Sequence, residues 1–185
     1  MNQLVLERIY YPVTELGYGK RLGIWVRGCS KRCPGCISPE LQDYHGRSVS
    51  VSDIISSLPE DFFADGLTIS GGEPFDQTEG LLEFVRWFTG HISDDVLIFT
   101  GYTLGELENR ADACTKELLE KTAVLIDGPY IESLNDGKGL RGSSNQRINI
   151  FKYKERYEDA DQWTRMVQFV VGDDSLLQIG IPPLA

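Results

Sequence analysis

The sequence predicts an α/β protein with a largely parallel β-sheet. Short apolar runs rich in β-branched residues recur along the chain, helix-like segments separate them, and loops of unusual composition follow them directly. Strands that alternate with helices form βαβ units, whose strands lie parallel in one sheet. A chain of 185 residues is long enough to bury a core of its own, and we expect a single domain over residues 1–185.

Five apolar runs are predicted to be strands, because their hydrophobicity is continuous, as in parallel strands buried on both faces. They cover residues 22–27, 66–70, 96–100, 123–127 and 166–171. Apolar residues at helical spacing predict four helices, over residues 51–58, 78–89, 104–110 and 115–121. Ser50 or Ser52 is placed to cap the first of these helices.

Three segments are predicted to be irregular. Residues 135–146 are rich in Gly, Ser and Asn and form a predicted loop, and the polar residues 152–165 are predicted to be an exposed connection. The tail from residue 172 ends in Ile181-Pro182-Pro183, which cannot continue a helix or a central strand.

Composition and charge exclude several classes of protein. No apolar run approaches the roughly 20 residues of a membrane span, and the N-terminus lacks the pattern of a signal peptide, so we expect a cytoplasmic protein with no membrane partner. A net charge of −10 disfavours nucleic acid as a partner. Residues 1–32 nevertheless carry six basic and two acidic side chains, which is either chance or a docking field for an anionic reductant.

The unusual residues follow the predicted strands. Gly28-Cys29 follows the first strand, Gly71-Gly72-Glu73-Pro74 the second, Gly101-Tyr102 the third and Gly128-Pro129 the fourth. In α/β proteins, ligand sites lie at the carboxyl ends of parallel strands. These four loops are therefore expected to share one pocket.

Three of the four cysteines lie within eight residues, as Cys29, Cys33 and Cys36 in a C-x₃-C-x₂-C pattern. Such crowding in a cytosolic chain indicates a metal or redox site and not a disulfide framework. Three thiolates suit an iron–sulfur cluster with one open iron. Structural zinc needs a fourth protein ligand, and recruiting His45 or Cys114 keeps that alternative open.

The loop Gly71-Gly72-Glu73-Pro74 adds a second chemical signal. Two glycines allow the backbone to approach a ligand closely, and the carboxylate of Glu73 can meet an ammonium group. A tight turn with an exposed acid would give the same four residues. Their position one βα unit after the cysteine loop favours the functional interpretation.

Together, the cysteine pattern and the Gly-Gly-Glu-Pro loop resemble the radical S-adenosylmethionine superfamily. Further matching segments are Tyr10-Tyr11-Pro12-Val13, Thr100-Gly101-Tyr102, Leu125-Ile126-Asp127-Gly128-Pro129 and Leu140-Arg141-Gly142-Ser143-Ser144-Asn145-Gln146-Arg147. With these segments, residues 10–148 look like the activating enzymes of class III anaerobic ribonucleotide reductases. The chain departs from this family at Ile37-Ser38, where an aromatic residue and Asn are common, and in residues 149–185, which form a C-terminal extension.

The resemblance implies an incomplete β/α barrel and an oxidoreductase chemistry. Cys29, Cys33 and Cys36 would be the catalytic and metal-binding residues, because they would hold three irons of a [4Fe–4S] cluster whose fourth iron binds S-adenosylmethionine. Reductive cleavage would give a 5′-deoxyadenosyl radical, which would take a hydrogen atom from a glycine of the partner. The implied cofactor-binding residues are Gly35, Ile37, Gly71, Gly72, Glu73, Pro74 and Asp127.

The implied partners are a large glycyl-radical enzyme, the anaerobic ribonucleotide reductase, and a flavodoxin- or ferredoxin-type reductant. Two alternatives remain open at the level of sequence. The same radical chemistry could act on a different protein or small molecule, and the extension could mark such a relative or cover the sheet edge. A non-catalytic zinc or electron-transfer module is the other alternative. His45, His91 and Cys114 are interpreted as bystanders.

Overall fold

The computed structural model describes residues 2–172 and 176–184. Within them, nine strands and five α-helices follow one another along the chain. The strands are β1 (Gln3–Val13), β2 (Arg21–Val26), β3 (Arg47–Ser50), β4 (Gly66–Gly71), β5 (Val96–Phe99), β6 (Val124–Asp127), β7 (Arg147–Ile150), β8 (Val167–Val171) and β9 (Leu176–Gly180). The helices are α1 (Val51–Ser57), α2 (Thr78–His91), α3 (Leu104–Glu108), α4 (Ala113–Lys121) and α5 (Lys154–Tyr157).

Seven strands form one open sheet in the order β3-β1-β2-β4-β5-β6-β7. The central strands β2, β4, β5 and β6 are parallel, as the sequence predicts, whereas β1, β3 and β7 join the sheet antiparallel. The four parallel strands therefore end at the same edge, and their following loops lie side by side.

The predicted helices form close to their predicted bounds, because their apolar stripes are buried against the sheet. All five apolar positions of the α2 stripe are buried, at Leu81, Leu82, Phe84, Val85 and Phe88. Ser50 caps α1 by accepting a hydrogen bond from the N–H of Asp53 at 3.1 Å. Among the described residues, no helix combines the length and apolar character that a membrane span requires.

One predicted strand differs from the structure, and one long strand is not among the predictions. Residues 166–171 are predicted as a buried parallel strand, but β8 pairs antiparallel with β9 outside the main sheet, and Val171 is 81% exposed. A two-stranded ribbon needs only one buried face, which an apolar run does not reveal. β1, which lies between β3 and β2, is also absent from the predicted strands, because Glu7 and Arg8 in its middle interrupt the continuous apolar run that predicts a buried strand.

The segment predicted as an exposed connection, residues 152–165, is anchored in the interior. Tyr157 in α5 is fully buried, and its hydroxyl donates to Asp95 Oδ1 at 2.9 Å. The same hydroxyl accepts a hydrogen bond from the fully buried Arg21 at 2.9 Å. The sequence does not predict this burial, because only Tyr157, Ala160 and Arg165 of this polar segment are buried.

Candidate active site

The cysteine loop follows β2, and its first residues are held by backbone hydrogen bonds to Leu41 and Gln42, which come after the loop in the chain. The N–H of Gly28 donates to Leu41 O at 2.8 Å, and the N–H of Cys29 donates to Gln42 O at 3.1 Å. Gly35 has a φ of +70°, a conformation that favours glycine. The loop therefore curls back on itself between Cys33 and Cys36, whose backbones are joined by a 3.3 Å hydrogen bond.

The thiols of Cys29, Cys33 and Cys36 are free and half-buried on this one loop. Within residues 2–172 and 176–184, no three His, Cys, Asp or Glu side chains converge on a point where they could share one metal ion. A cubane does not need such convergence, because each thiolate binds a separate iron. The donor set, three unpaired thiols on one curled loop, fits a [4Fe–4S] cluster.

Burial raises the pKa of the Cys29 thiol, and the carboxylates of Glu73 and Asp76 raise it further. This thiol is therefore protonated at neutral pH and would lose its proton on binding iron, as metal-ligating thiols do.

Gly71 and Gly72 allow other backbones to approach closely, at Val26 in β2 and at Gly28 in the cysteine loop. A Cβ on Gly72 would lie 2.1 Å from the backbone oxygen of Gly28, and one on Gly71 would lie 2.3 Å from that of Val26. Short hydrogen bonds join the same backbones, from Gly72 N to Val26 O at 2.7 Å and from Glu73 N to Gly28 O at 2.8 Å. The two glycines therefore set the position of the cysteine loop.

The carboxylate of Glu73 points into the protein. It is fully buried and accepts hydrogen bonds from Phe75 N at 3.0 Å, Thr100 Oγ1 at 2.7 Å and Gly101 N at 2.7 Å. Burial raises the pKa of Glu73 to about 7, although these three donors lower it. Pro74 is buried and begins the short 3₁₀ turn Pro74–Asp76. Ser70 and Gly71, at the end of β4, line the cavity.

Asp127, at the end of β6, is also committed to protein partners. It is 2% exposed, and its oxygens accept from Leu104 N at 2.5 Å and Asn149 Nδ2 at 3.0 Å. The carboxylate thereby joins the start of α3 to β6 and β7. The structure gives Asp127 a role in placing these elements, and a direct contact with a cofactor stays a prediction.

One cavity of about 590 Å³ opens at the carboxyl ends of the parallel strands. Its volume lies in the range of roughly 300–1,000 Å³ that is usual for small-molecule sites. Gly35, Cys36 and Ile37 line it from the cysteine loop, and Gly71 from the loop after β4. A depression of about 580 Å³ around Lys116 and Glu117 of α4 contains none of the predicted site residues. The remaining lining residues of the cavity at the strand ends are Leu16, Trp25, Ser38, Glu40, Ser70, Phe99, Tyr130, Asn135, Gly142, Gln146, Gln178, Ile179, Gly180, Ile181, Pro182 and Pro183.

Asp76 supports the cysteine loop and was not predicted from the sequence. Its carboxylate accepts from Ser30 N at 2.8 Å, Ser30 Oγ at 2.9 Å, Tyr44 OH at 2.8 Å and Tyr102 OH at 3.1 Å. Burial and the bond to Asp76 raise the pKa of Tyr44 to about 12. Lys31 lies 3.6 Å from the centre of the Tyr102 ring. The only sequence signal is that Asp76 comes two residues after Pro74.

The loop of residues 141–147 is organised by the side chain of Gln146. Its amide oxygen accepts from Gly142 N at 2.8 Å and Ser143 N at 3.1 Å, and its Nε2 donates to Gly128 O at 2.8 Å. Asn145 Nδ2 donates to Pro129 O at 2.8 Å. The loop therefore packs on the Gly128-Pro129 turn after β6 and places Gly142 and Gln146 at the cavity.

The residues interpreted as bystanders lie away from this arrangement. Cys114 begins the first turn of α4 and packs against the main core. The side chain of His45 is 98% exposed. His91 stacks on Trp87 at 5.5 Å between ring centres, at the end of α2.

Comparison with known proteins identifies the family. Residues 16–149 match the family model described as a 4Fe-4S single cluster domain. The anaerobic ribonucleoside-triphosphate reductase-activating protein of Haemophilus influenzae is 35% identical over 153 residues, which are 77% of this chain and 96% of the relative. The protein of the same name from Vibrio cholerae is 34% identical over 152 residues, with the same 77% and 96% coverage.

The chain belongs to the family of anaerobic ribonucleoside-triphosphate reductase-activating proteins. The predicted resemblance is thus confirmed, as is its iron–sulfur domain. The Escherichia coli member is 29% identical over 150 residues and is covered to 95% of its length. All three relatives therefore match this chain over almost their whole length, and about a quarter of this chain has no counterpart in the matches.

The fold of this family member is shared with a solved structure. QueE from Escherichia coli superposes with a TM-score of 0.53 at 16% identity, and the match covers 70% of this chain and 60% of that one. At this identity the likeness concerns the fold alone. It confirms the predicted α/β architecture with an open, mixed sheet whose central strands are parallel.

Proposed function

We propose that this chain is a radical S-adenosylmethionine enzyme that introduces a glycyl radical into an anaerobic ribonucleoside-triphosphate reductase. The observation that carries the proposal is that the cysteine loop of a 4Fe-4S domain opens, at Cys36, into a cavity of about 590 Å³, a volume usual for small-molecule sites. The names of the relatives supply the substrate protein. When bound, the cluster and S-adenosylmethionine supply the reductive cleavage from which the radical originates.

The chain's own residues bind and orient these groups. Cys29, Cys33 and Cys36 hold the cluster, and Asp76 fixes the loop that carries them. Backbone groups of Gly35, Ile37 and Gly71 contact the cofactor at the cavity wall. Gly72, Glu73 and Pro74 lie behind that wall and hold it in position. The Glu73 carboxylate bonds Thr100 and Gly101, so it acts on the cofactor's ammonium end indirectly, by fixing the backbone of this loop.

The electron donor is proposed to be a flavodoxin- or ferredoxin-type protein, and the reaction is proposed to take place in the cytoplasm. Both statements stay predictions from the low potential and oxygen sensitivity that such chemistry requires. A different target protein is the second candidate, because a segment outside the matched family region, described below, also lines the cavity.

Replacing the cysteines one at a time tests the proposal. Cys29→Ala, Cys33→Ala and Cys36→Ala are each expected to abolish S-adenosylmethionine cleavage and to lower bound iron and sulfide after anaerobic reconstitution. Cys114→Ala is the matched control, since Cys114 is the remaining cysteine and packs in the core. Wild-type protein that holds zinc without iron or sulfide would contradict the proposal.

The identity of the target is tested with the reductase itself. Wild-type protein, S-adenosylmethionine and a reductant are incubated anaerobically with an anaerobic ribonucleotide reductase, and the glycyl radical is measured by electron paramagnetic resonance. We expect a radical in the reductase that depends on all three cysteines. Cofactor cleavage without a radical in the reductase would favour a different target.

A further inference from the structure

Part of the cavity wall comes from the C-terminal segment, outside the matched family region. Six consecutive residues at the end of β9 and after it line the cavity. The family model ends at residue 149, and the curated relatives match 77% of this chain. The wall is therefore not part of what the family shares. Its residues are Gln178, Ile179, Gly180, Ile181, Pro182 and Pro183.

The β8–β9 hairpin presents its apolar face to the inside of the open sheet. Ile179 is 2% exposed and forms a small core with Val13 and Leu16. Trp25 and Phe99 pack against the same core and also line the cavity. The hairpin thus closes a side of the cavity that the sheet leaves open, with an aliphatic surface facing two aromatic rings.

Arg165 connects this wall to a second one. Its side chain is 1% exposed, and its guanidinium donates to Arg141 O at 2.6 Å, Lys138 O at 3.1 Å and Gly142 O at 3.2 Å. It also reaches Asn135 Oδ1 at 2.6 Å and Pro182 O at 3.5 Å. Asn135 and Gly142 line the cavity from the loop before β7, and Pro182 lines it from the tail.

A buried guanidinium is costly unless its N–H groups are satisfied, so these bonds fix the geometry of both segments. The nearest carboxylate oxygen, Asp136 Oδ1, lies 3.7 Å away, and most partners of Arg165 are backbone carbonyls. Arg165 therefore acts mainly by positioning the segments that carry these carbonyls, and only secondarily as an ion-pair partner of Asp136. Arg offers five N–H donors in a rigid planar fork, whereas Lys offers three on one ammonium and cannot reproduce the same set of bonds from its single nitrogen.

We propose that the C-terminal segment 176–183 is a wall of the S-adenosylmethionine site and that Arg165 is the positioning residue that holds it against the loop of residues 135–142. The inference rests on the proposed function, since it assigns S-adenosylmethionine to this cavity. The wall covers the part of the cofactor that the cysteine loop does not reach and excludes water from it. Its loss lowers affinity for the cofactor and leaves the cluster in place.

The test measures the dissociation constant of S-adenosylmethionine by equilibrium dialysis against anaerobically reconstituted protein, without reductant, so that no turnover occurs. A chain that ends at Gly180 loses Ile181, Pro182 and Pro183 and keeps Arg165 and the hairpin. We expect its dissociation constant to rise about tenfold, or about 1.4 kcal/mol. Iron content and the midpoint of urea denaturation are expected to stay as in wild type.

Arg165→Lys is the second variant, with the same expected rise in the dissociation constant. Val171→Ala is the matched control for both, because Val171 lies on the outward face of the same hairpin and is 81% exposed. If Arg165→Lys fails to fold, the shortened chain carries the test alone.

The two proposals fail in different ways. Wild-type protein that holds a [4Fe–4S] cluster and binds no S-adenosylmethionine would overturn the proposed function and the wall together. Wild-type affinity in both the shortened chain and Arg165→Lys would overturn the wall and leave the proposed function standing. A rise confined to these variants, with unchanged iron content, supports the wall.

Discussion

Single residues in this protein act mainly by holding one backbone against another. Gly72 is the clearest example, because any side chain there would meet the backbone oxygen of Gly28 and not a flexible group. The neighbouring acid, Glu73, fixes the loop after β5 through Thr100 and Gly101. The motif that suggests ligand chemistry in the sequence is thus also the structural support of the cysteine loop.

Gly72→Ala is expected to prevent cluster assembly, because the new Cβ would lie 2.1 Å from Gly28 O and would push the cysteine loop away from β4. The measurement is iron and sulfide per chain after anaerobic reconstitution. Gly90→Ala is the control, since Gly90 lies in α2 with no atom within 4 Å of the new Cβ. That change should stabilise the helix by about 0.5–1 kcal/mol. A normal iron and sulfide content in Gly72→Ala would contradict the prediction and would show that the cysteine loop can shift to accommodate the new Cβ.

Glu73 makes stability depend on pH in a direction opposite to that of an ion-paired acid, whose pKa is lowered by folding. Burial raises its pKa from 4.5 to about 7, so the folded state holds the proton more tightly than the unfolded chain. Its contribution is present below pH 4.5 and is lost as pH rises to about 7. The free energy of unfolding of wild type relative to Glu73→Gln should fall over this window, by up to about 1.4 kcal/mol per pH unit. Urea denaturation between pH 5 and 8 measures the difference, and a flat difference would mean that Glu73 is ionised throughout.

At the scale of elements, the sequence predicts the central strands and the helices well. β2, β4, β5 and β6 and the helices α1 to α4 all form within a few residues of their predicted bounds. These elements are buried, and burial places their apolar residues at the regular spacing of a helix or in the continuous run of a buried strand. β1 and β7 pair antiparallel with the outer parallel strands, β3 pairs antiparallel with β1, and α5 is a single turn. The apolar residues of these elements therefore repeat less regularly along the sequence.

Tyr157 in α5 is predicted to contribute measurably to folding without touching the site. Tyr157→Phe removes a hydroxyl that donates to Asp95 and accepts from Arg21, both fully buried. We expect a loss of about 1–3 kcal/mol in the free energy of unfolding, measured by urea denaturation, with unchanged iron content. Tyr18→Phe is the control, because Tyr18 is 50% exposed. Equal stabilities of the two variants would refute a role for the buried network.

At the scale of the whole molecule, folding redistributes the charge that the sequence concentrates at its N-terminal end. Arg21 pairs with Asp95 at 3.1 Å inside the protein, Arg27 with Glu7 at 2.7 Å, and Lys31 with Glu106 at 3.1 Å. Two of these three acids come from distant parts of the chain. Asp95 and Glu106 lie outside residues 1–32 and therefore offset two of the four surplus positive charges of that segment, which weakens the case for a docking field.

The residues after Ile150 are expected to be necessary for folding as well as for the cavity wall. Tyr157 and Ala160 are buried in one core with Leu97, Val124 and Ile126. A chain ending at Ile150 would expose this core, and we expect it to lose cooperative urea unfolding, measured by circular dichroism. A cooperative transition with bound iron in that short chain would contradict the expectation. The chain ending at Gly180 keeps this core and serves as its control.

The sequence by itself determined the family and the central α/β pattern, and it predicts the cluster ligands, because each depends on residues that are close in the chain or on a local period. Cys29, Cys33 and Cys36 lie on one loop, and their spacing is legible without the fold. Only the tertiary structure decided the partners of Glu73 and Asp127, the supporting role of Asp76, and the wall formed by Arg165 and the tail. These depend on contacts between segments far apart in the chain, such as Arg165 with residues 135–142. A local sequence pattern does not show which buried polar groups will form hydrogen bonds with one another.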